Sequence, residues 1–502
     1  MKIQFMNQVR DKTMSKKEIS QEEQLAQLRD VGIERKGTKL IVPDGVDLTV
    51  AIRALQLQRD DEEQVIGINH LFDFDAAEGM VAFLRVLERE YGFVSNKGKM
   101  SFFGRQPPTY IGIETSPGKV ESIPNGNLQI PGIDGYLSPS YQLKDFRIVF
   151  AIRGEVKGKD RKRVDELAAM IKEECRVNSI YKGHAIVTSF PDIEDTGCLE
   201  DTFAKFAEMD PISPKDILLN EQTYNDIDIS LFTPIRRTQL CRDNSIPLKR
   251  GVLLHGPYGT GKSMTAAATA DLCKENGWTF IYLKDVTKIS KAYAFAKNYQ
   301  PAVIFSEDID QVLKVEREKD RDAKINQILN EIDGIDTKGL EIITVLTTNH
   351  IEKITQAALR PGRFDGVIQV DPPNQNTVEK LIRKYAGNLL AEDIDLSESS
   401  KILQGEVPAL IREVVERSKL SAIRRDGDLK MNANDILIVA KSMKNHMELL
   451  RPKEIDQRTD IEKGFDSIGR IISEKATFTI SDLAGQPKQL NGAAETRQAA
   501  QV

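Results

Sequence analysis

The sequence is short of several features that would have settled its class at once. It holds only four cysteines in 502 residues, Cys175, Cys198, Cys241 and Cys273, and no CxxC pair. That excludes a zinc ribbon and a disulfide framework, and it suits scattered thiols in a reducing compartment. None of the five histidines (70, 184, 255, 350, 446) forms an HExxH pair, so no zinc protease is fused here. No apolar run approaches the ~18 residues of a membrane helix. The first ten residues, Met1-Lys-Ile-Gln-Phe-Met-Asn-Gln-Val-Arg10, lack a signal-peptide core. A cytoplasmic protein without a membrane partner is expected. Large net charge is missing too: 70 Lys and Arg against 76 Asp and Glu leave −6, which gives no support to nucleic-acid binding.

What is present is organised around Gly256-Pro257-Tyr258-Gly259-Thr260-Gly261-Lys262-Ser263. An apolar run, Gly251-Val-Leu-Leu-His255, precedes it, and the helix-forming run Met264-Thr-Ala-Ala-Ala-Thr-Ala270 follows. Strand, glycine-rich loop and helix in this order are the context that makes a P-loop. The glycines let backbone N–H groups turn inward around phosphate oxygens, and the helix dipole points the same way. Lys262 would reach the β- and γ-phosphates, and the Ser263 hydroxyl would hold Mg²⁺. Residues 256–264, Met264 included, are therefore the candidate nucleotide-binding residues, with ATP and Mg²⁺ as the cofactors.

A P-loop needs a second strand that brings carboxylates to the metal and to the attacking water. Pro301-Ala-Val-Ile-Phe-Ser-Glu307-Asp308-Ile-Asp310 is an apolar strand ending in adjacent acids. At a strand end one acid can face Mg²⁺ while the next faces the γ-phosphate. A third strand, Glu341-Ile-Ile-Thr-Val-Leu-Thr-Thr348, ends in Asn349, whose amide can hold that water. Then come Arg360 and Arg363, three apart on a Pro-Gly segment, in a pattern suited to anion recognition.

At this length two to four domains are expected. Residues 1–35 are polar and read as a flexible arm. Residues 36–190 read as an α+β domain for substrate or partner recognition, with strand-like runs at Leu40-Ile-Val42, 48–55 and 65–68. A helix is expected over 75–91 from Met80, Phe83, Leu84 and Leu87, then hairpins over 93–140 and a strand over 145–152. An amphipathic helix marked by Val164, Leu167, Ala168 and Ile171 follows, and a further strand over 180–190. The segment Lys97-Gly-Lys-Met-Ser-Phe-Phe-Gly-Arg105 mixes cations with aromatics, which can stack bases; a solvated turn with core phenylalanines is preferred. Residues 191–215 read as a linker, 216–372 as the α/β nucleotide domain, 373–451 as a helical lid, and 452–502 as a mostly disordered tail, interrupted by a short helix near 461–472.

These blocks together resemble the AAA family of ATPases, over roughly residues 215–450. The stretch Asn326-Gln-Ile-Leu-Asn-Glu-Ile-Asp-Gly334 is similar to the family's helix before the third strand. Thr347-Thr-Asn-His350 with Leu359-Arg-Pro-Gly-Arg-Phe-Asp365 looks like its second region of homology. The resemblance implies a P-loop NTPase parallel sheet with a C-terminal helical lid, and a homo-oligomeric ring, usually a hexamer, with ATP between subunits. It makes Asn349 a sensor and Arg360 and Arg363 fingers on a neighbour's γ-phosphate. It implies a chaperone-like ATPase that remodels or translocates an unknown protein client. A nucleic-acid-associated loader and a nucleotide-gated scaffold with low turnover are the alternatives.

The departures from the family are informative. The usual Asp-Glu is reversed, so Glu307 takes the metal position with Ser263 and Asp308 the water position. Tyr258 stands where proline is common, and Pro408-Ala409 where the lid has Gly-Ala. The segment from Leu283 to Pro301 carries no aromatic–hydrophobic–Gly pore loop, and helical spacing makes Tyr293 and Phe295 core residues. These features are similar to those of the branch containing the mitochondrial Rieske-subunit translocase, in the ATPase module alone.

Overall fold

The computed structural model describes residues 34–450 apart from 37–38, 42–47, 93, 99, 103, 146, 192–197, 310–327, 329–331, 333–338, 355–363, 391–392 and 427–429. The chain divides into two compact units, residues 1–437 and 438–502. Most of the expected arm, the disordered tail with its short helix near 461–472, most of the helix expected around 326–334, and both Arg360 and Arg363 lie outside the described residues.

The N-terminal part is α+β. Strands Val65–Asp75, Arg147–Lys157, Gly135–Lys144, Leu128–Gln129 and Ser95–Asn96 form a five-stranded antiparallel sheet in that spatial order. Helices Ala76–Tyr91 and Arg161–Val177 supply its apolar cover. The first starts where the Asp75 side chain accepts the Ala77 N–H, an N-cap that satisfies a donor the helix itself cannot. It buries Met80, Phe83 and Leu87 at helical spacing, with Leu84 partly buried. Gly79 lets it approach the sheet closely, since a Cβ there would lie 2.2 Å from Phe150 Cβ. The hairpin Thr109–Ser116 with Lys119–Asn125 is a separate two-stranded ribbon.

Three expectations from the sequence are corrected here. The run 48–55 is not a strand but opens helix Leu48–Glu63. Alternating Leu48, Val50 and Ile52 imitate a period of two, yet sixteen residues without Gly or Pro, ending in helix-forming acids, favour the helix. The expected strand over 180–190 shrinks to Ala185–Thr188. Phe102 is no core residue: it is 97 % exposed between the short strands Met100–Ser101 and Gly104–Arg105.

The second sheet has seven strands, in the spatial order Lys205–Phe206, Ala185–Thr188, Thr279–Leu283, Ala302–Ser306, Ile342–Thr348, Arg250–His255, Gly366–Gln369. All pair in parallel except Lys205–Phe206, which is antiparallel to its neighbour. Strands buried on both faces read as unbroken apolar runs. Accordingly every residue of Ala302–Ser306 and Ile342–Thr348 is buried. Ala185–Thr188 belongs to this sheet, not to the N-terminal one, and Lys205–Phe206 lies inside the stretch read as a linker. One apolar cluster runs from Ile68 and Phe83 of the N-terminal part through Tyr181 to Ile281, Phe295 and Ile304 of the second sheet. The Tyr181 ring meets Phe206, Phe295 and Tyr299 at centroid distances of 6.0, 5.7 and 5.7 Å. Tyr293 and Phe295 are buried in helix Ile289–Ala296, as their spacing suggests.

Beyond the sheet the chain is helical: Gln375–Ala386, Ser397–Leu403, Pro408–Asp426 and Ala433–Leu450. Pro408 stands at the first helical position, where a missing N–H costs nothing.

Candidate nucleotide site

The loop 256–261 leaves the strand Arg250–His255 at its C-terminal end and runs into helix Lys262–Glu275. That strand lies between Ile342–Thr348 and Gly366–Gln369, and crevices beyond strand ends are where open α/β sheets bind ligands. Both neighbours grip the base of the loop. The Gly256 N–H donates to the Thr348 carbonyl at 3.2 Å, and the Val370 N–H to the His255 carbonyl at 2.7 Å. Gly256 has φ +155, and a Cβ there would lie 2.2 Å from the Val370 oxygen. Only glycine fits.

Lys262 is buried, and its Nζ donates to the carbonyls of Gly256 and Pro257, both at 2.8 Å. The ammonium thus lies across the mouth of the loop. Thr260 Oγ1 donates to the Pro257 carbonyl at 3.0 Å and closes the turn. Burial and the Lys262 charge hold His255 below the usual imidazole range, with Asp371 acting the other way. Tyr258 is 60 % exposed, its ring edge-on to His350 at 6.4 Å.

The two acids point to different partners. Ser263 Oγ donates to Glu307 Oε2 at 3.1 Å, and Asn349 Nδ2 donates to Asp308 Oδ1 at 2.8 Å. Hydroxyl and carboxylate oxygens are the hard donors that Mg²⁺ takes, so Ser263 and Glu307 fit that ion. The P-loop, both acids and Asn349 come together; Arg360 and Arg363 lie outside the described residues.

Sequence reasoning passed over several residues at this site. Burial and the neighbouring Glu307, to which it hydrogen-bonds, push the Tyr282 hydroxyl up to about 12. Thr347 Oγ1 accepts the Asp308 N–H at 2.9 Å. A Cβ on Gly261 would lie 3.2 Å from Leu219 Cδ2, and one on Gly259 3.4 Å from Val407 Cβ. Leu219 and Val407 thus line the loop. Asn220 ties this neighbourhood to the start of helix Gln375–Ala386. Its Nδ2 donates to the Pro372 carbonyl at 3.1 Å, and its Oδ1 accepts from Asn374 N at 2.9 Å and Thr377 Oγ1 at 3.1 Å. Thr347 stands inside the motif quoted above but without a role of its own there, and no motif marks Leu219, Asn220 or Tyr282; an Asn or Leu upstream of a P-loop has no period of its own.

A parallel sheet with a glycine-rich loop at a strand end, a buried lysine and paired acids above it defines a P-loop nucleotide-binding protein. Residues 252–372 match the family described as "ATPase family associated with various cellular activities (AAA)", so this chain carries an AAA domain followed by a helical region. It is similar to the proteasome-activating nucleotidase of Methanothermobacter thermautotrophicus, 30 % identical over 226 residues, covering 41 % of this chain and 54 % of that protein. The proteasome-activating nucleotidase of Methanocella arvoryzae is 28 % identical over 274 residues, 52 % of this chain and 65 % of that protein. That of Aeropyrum pernix is 28 % identical over 276 residues, 51 % and 66 %. The chain thus spans 54 to 66 % of the length of these relatives. Among the described residues no helix is long and apolar enough to cross a membrane.

Proposed function

We propose that this chain is a subunit of an ATP-hydrolysing AAA ring that couples turnover to the remodelling or translocation of a protein client. The observation that carries this reading is the separation of the two acids, Glu307 against the Ser263 hydroxyl and Asp308 against the Asn349 amide. In this reading residues 256–264 cradle the phosphates, with Lys262 leaving its two carbonyl partners for the β- and γ-oxygens. Leu219 and Val407 flank the base. Ser263 and Glu307 would hold Mg²⁺, which would supply neutralisation of phosphate charge when bound. Asp308 takes the proton of the attacking water, and Asn349 orients that water and the acid together.

A subunit so built has half a site for the transition state, since neither the P-loop nor the acids bring a cation to the far side of the γ-phosphate. Arg360 and Arg363 of a neighbour fill that role, an effect worth about 10³–10⁵ in rate for arginine fingers generally. The names of the relatives support a client that is a protein, and the net charge of −6 gives no support to nucleic acid. The residues preceding the AAA domain, with their own sheet, recognise the client or a partner in a cytoplasmic setting.

The test is phosphate release by the wild type and by Lys262→Ala subunits, which lack a working P-loop, mixed with Arg363→Ala subunits, which lack the finger. Wild-type activity should rise more steeply than protein concentration as rings assemble. Each variant alone should be inactive, but a one-to-one mixture should regain about a quarter of the wild-type activity, because an Arg363→Ala P-loop beside a Lys262→Ala subunit receives an intact finger. A mixture as inactive as either variant alone would refute the shared site.

A further inference from the structure

Asp308 adopts φ +52, one of four described non-glycine residues with positive φ. Aspartate tolerates this left-handed region better than most residues, but it is held there rather than resting there. The holding contact comes from the third strand. Thr347 Oγ1 accepts the Asp308 N–H at 2.9 Å, and the Thr347 carbonyl accepts the Ile309 N–H at 3.0 Å. Two consecutive amides after the acidic strand therefore end on one residue, itself 1 % exposed. The other threonine hydroxyls of that strand act elsewhere: Thr344 Oγ1 meets the Tyr293 hydroxyl at 2.5 Å, and Thr348 Oγ1 accepts the His350 N–H at 3.0 Å.

We infer that Thr347 is a positioning residue for ATP hydrolysis, its hydroxyl fixing the left-handed backbone that aims the Asp308 carboxylate at Asn349. This rests on the reading that Asp308 activates the water. The geometry explains how a reversed acid pair works. An Asp in the second place is one methylene shorter than a Glu, so its reach comes from the backbone. Reversing φ turns the Cα–Cβ bond, and the 2.8 Å contact with Asn349 Nδ2 shows where the carboxylate arrives. Without the hydroxyl the Asp308 N–H loses this acceptor, the peptide relaxes toward negative φ, and the carboxylate swings away from the amide. A displacement near 1 Å at a reacting group costs up to about 10²-fold in rate.

Full-length Thr347→Val, Thr347→Ala and Thr347→Ser are compared in ATP hydrolysis and in titrations with a fluorescent ATP analogue. Val keeps the shape, Ser keeps the hydroxyl, and Ala preserves the hydroxyl-free comparison should Val unfold the chain. The expected result is a fall in kcat of about 10- to 100-fold for Val and Ala, with nucleotide affinity changed less than about threefold. Ser should restore kcat to within about threefold, and Val added to Asp308→Asn should cost less than about twofold more. A Val or Ala variant at the wild-type kcat, a Ser variant as slow as Val, or losses that multiply with Asp308→Asn would each overturn the assignment. The two readings separate cleanly: a fast Asp308→Asn removes the Asp308 role itself. A slow Asp308→Asn beside a fast Thr347→Val removes only the Thr347 role.

Discussion

Asp308→Asn is expected to slow ATP hydrolysis by about 10²–10⁴-fold, the range of general-base catalysis, while ATP still binds. Asparagine keeps the shape and can still face Asn349, but it has no basic lone pair for a water proton. The P-loop contacts, Lys262 and the Ser263–Glu307 pair are untouched by the change. The variant should therefore hold ATP, stabilise assembled rings and retain the client in a pull-down. Glu307→Gln should behave differently. It weakens the oxygen set around Ser263, so its defect should shrink as Mg²⁺ concentration is raised, whereas that of Asp308→Asn should not. Single-turnover hydrolysis and a metal titration of both variants decide the matter. If Asp308→Asn hydrolyses at the wild-type rate, another group activates the water.

The second large effect lies away from the nucleotide site, where the N-terminal part meets the seven-stranded sheet. Glu78 is 1 % exposed and accepts a hydrogen bond from the Tyr299 hydroxyl. Tyr299 lies just before the acidic strand Ala302–Ser306. Burial pushes the Glu78 carboxyl up to about 7, with the nearby Asp75 adding to the rise and hydrogen bonds from Ser179 and Tyr299 opposing it. Asp75 is likewise pushed up to about 6 by burial, against its helix-cap bonds and the Arg147 charge. Such a group binds its proton more tightly in the folded chain than in the unfolded one, where 4.5 applies to Glu78. Its contribution is fully present below about pH 4.5 and is lost as pH rises toward 7.

Glu78→Gln removes this titration and keeps an acceptor for Tyr299. The variant should match the wild type near pH 5 and be more stable at pH 8, by on the order of 2–3 kcal/mol from one shifted carboxyl. Denaturant unfolding of both proteins at the two pH values measures it, because the variant-minus-wild-type difference cancels the other titrating groups. A difference independent of pH, or one that favours the wild type at pH 8, would show that Glu78 is ionised and well solvated in the folded chain.

Much of this was legible without coordinates, for identifiable reasons. A P-loop is a local device, since its strand, glycines, lysine and helix are contiguous and each meets a backbone demand that few other residues can. The acidic strand and the strand ending in Asn349 could be read because strands buried on both faces must be continuously apolar. The helix carrying Met80, Phe83 and Leu87 could be read from its period. Where the reading failed, the deciding contact was distant or the signal was shared. The run 48–55 carries a two-residue alternation that a helix can also carry. Ala185–Thr188 is four residues long, and its membership is settled by Thr279–Leu283, more than ninety residues away. Phe102 is aromatic and yet exposed, because a hairpin of two-residue strands has no interior to receive it.

By itself, then, the sequence determined that the chain carries a P-loop between a strand and a helix, with two acids and an amide at the ends of two further strands, because each of those units is specified by adjacent residues. Tertiary structure alone showed how the acid assigned to the water position turns to Asn349. Asp308 has a positive φ, and its N–H meets a hydroxyl from another strand. Tertiary structure also joined the N-terminal part to the seven-stranded sheet, by pairing Ala185–Thr188 with Thr279–Leu283 and burying Glu78 against Tyr299. Strand order and the desolvation of a carboxyl are properties of what surrounds a residue, and no local pattern carries them.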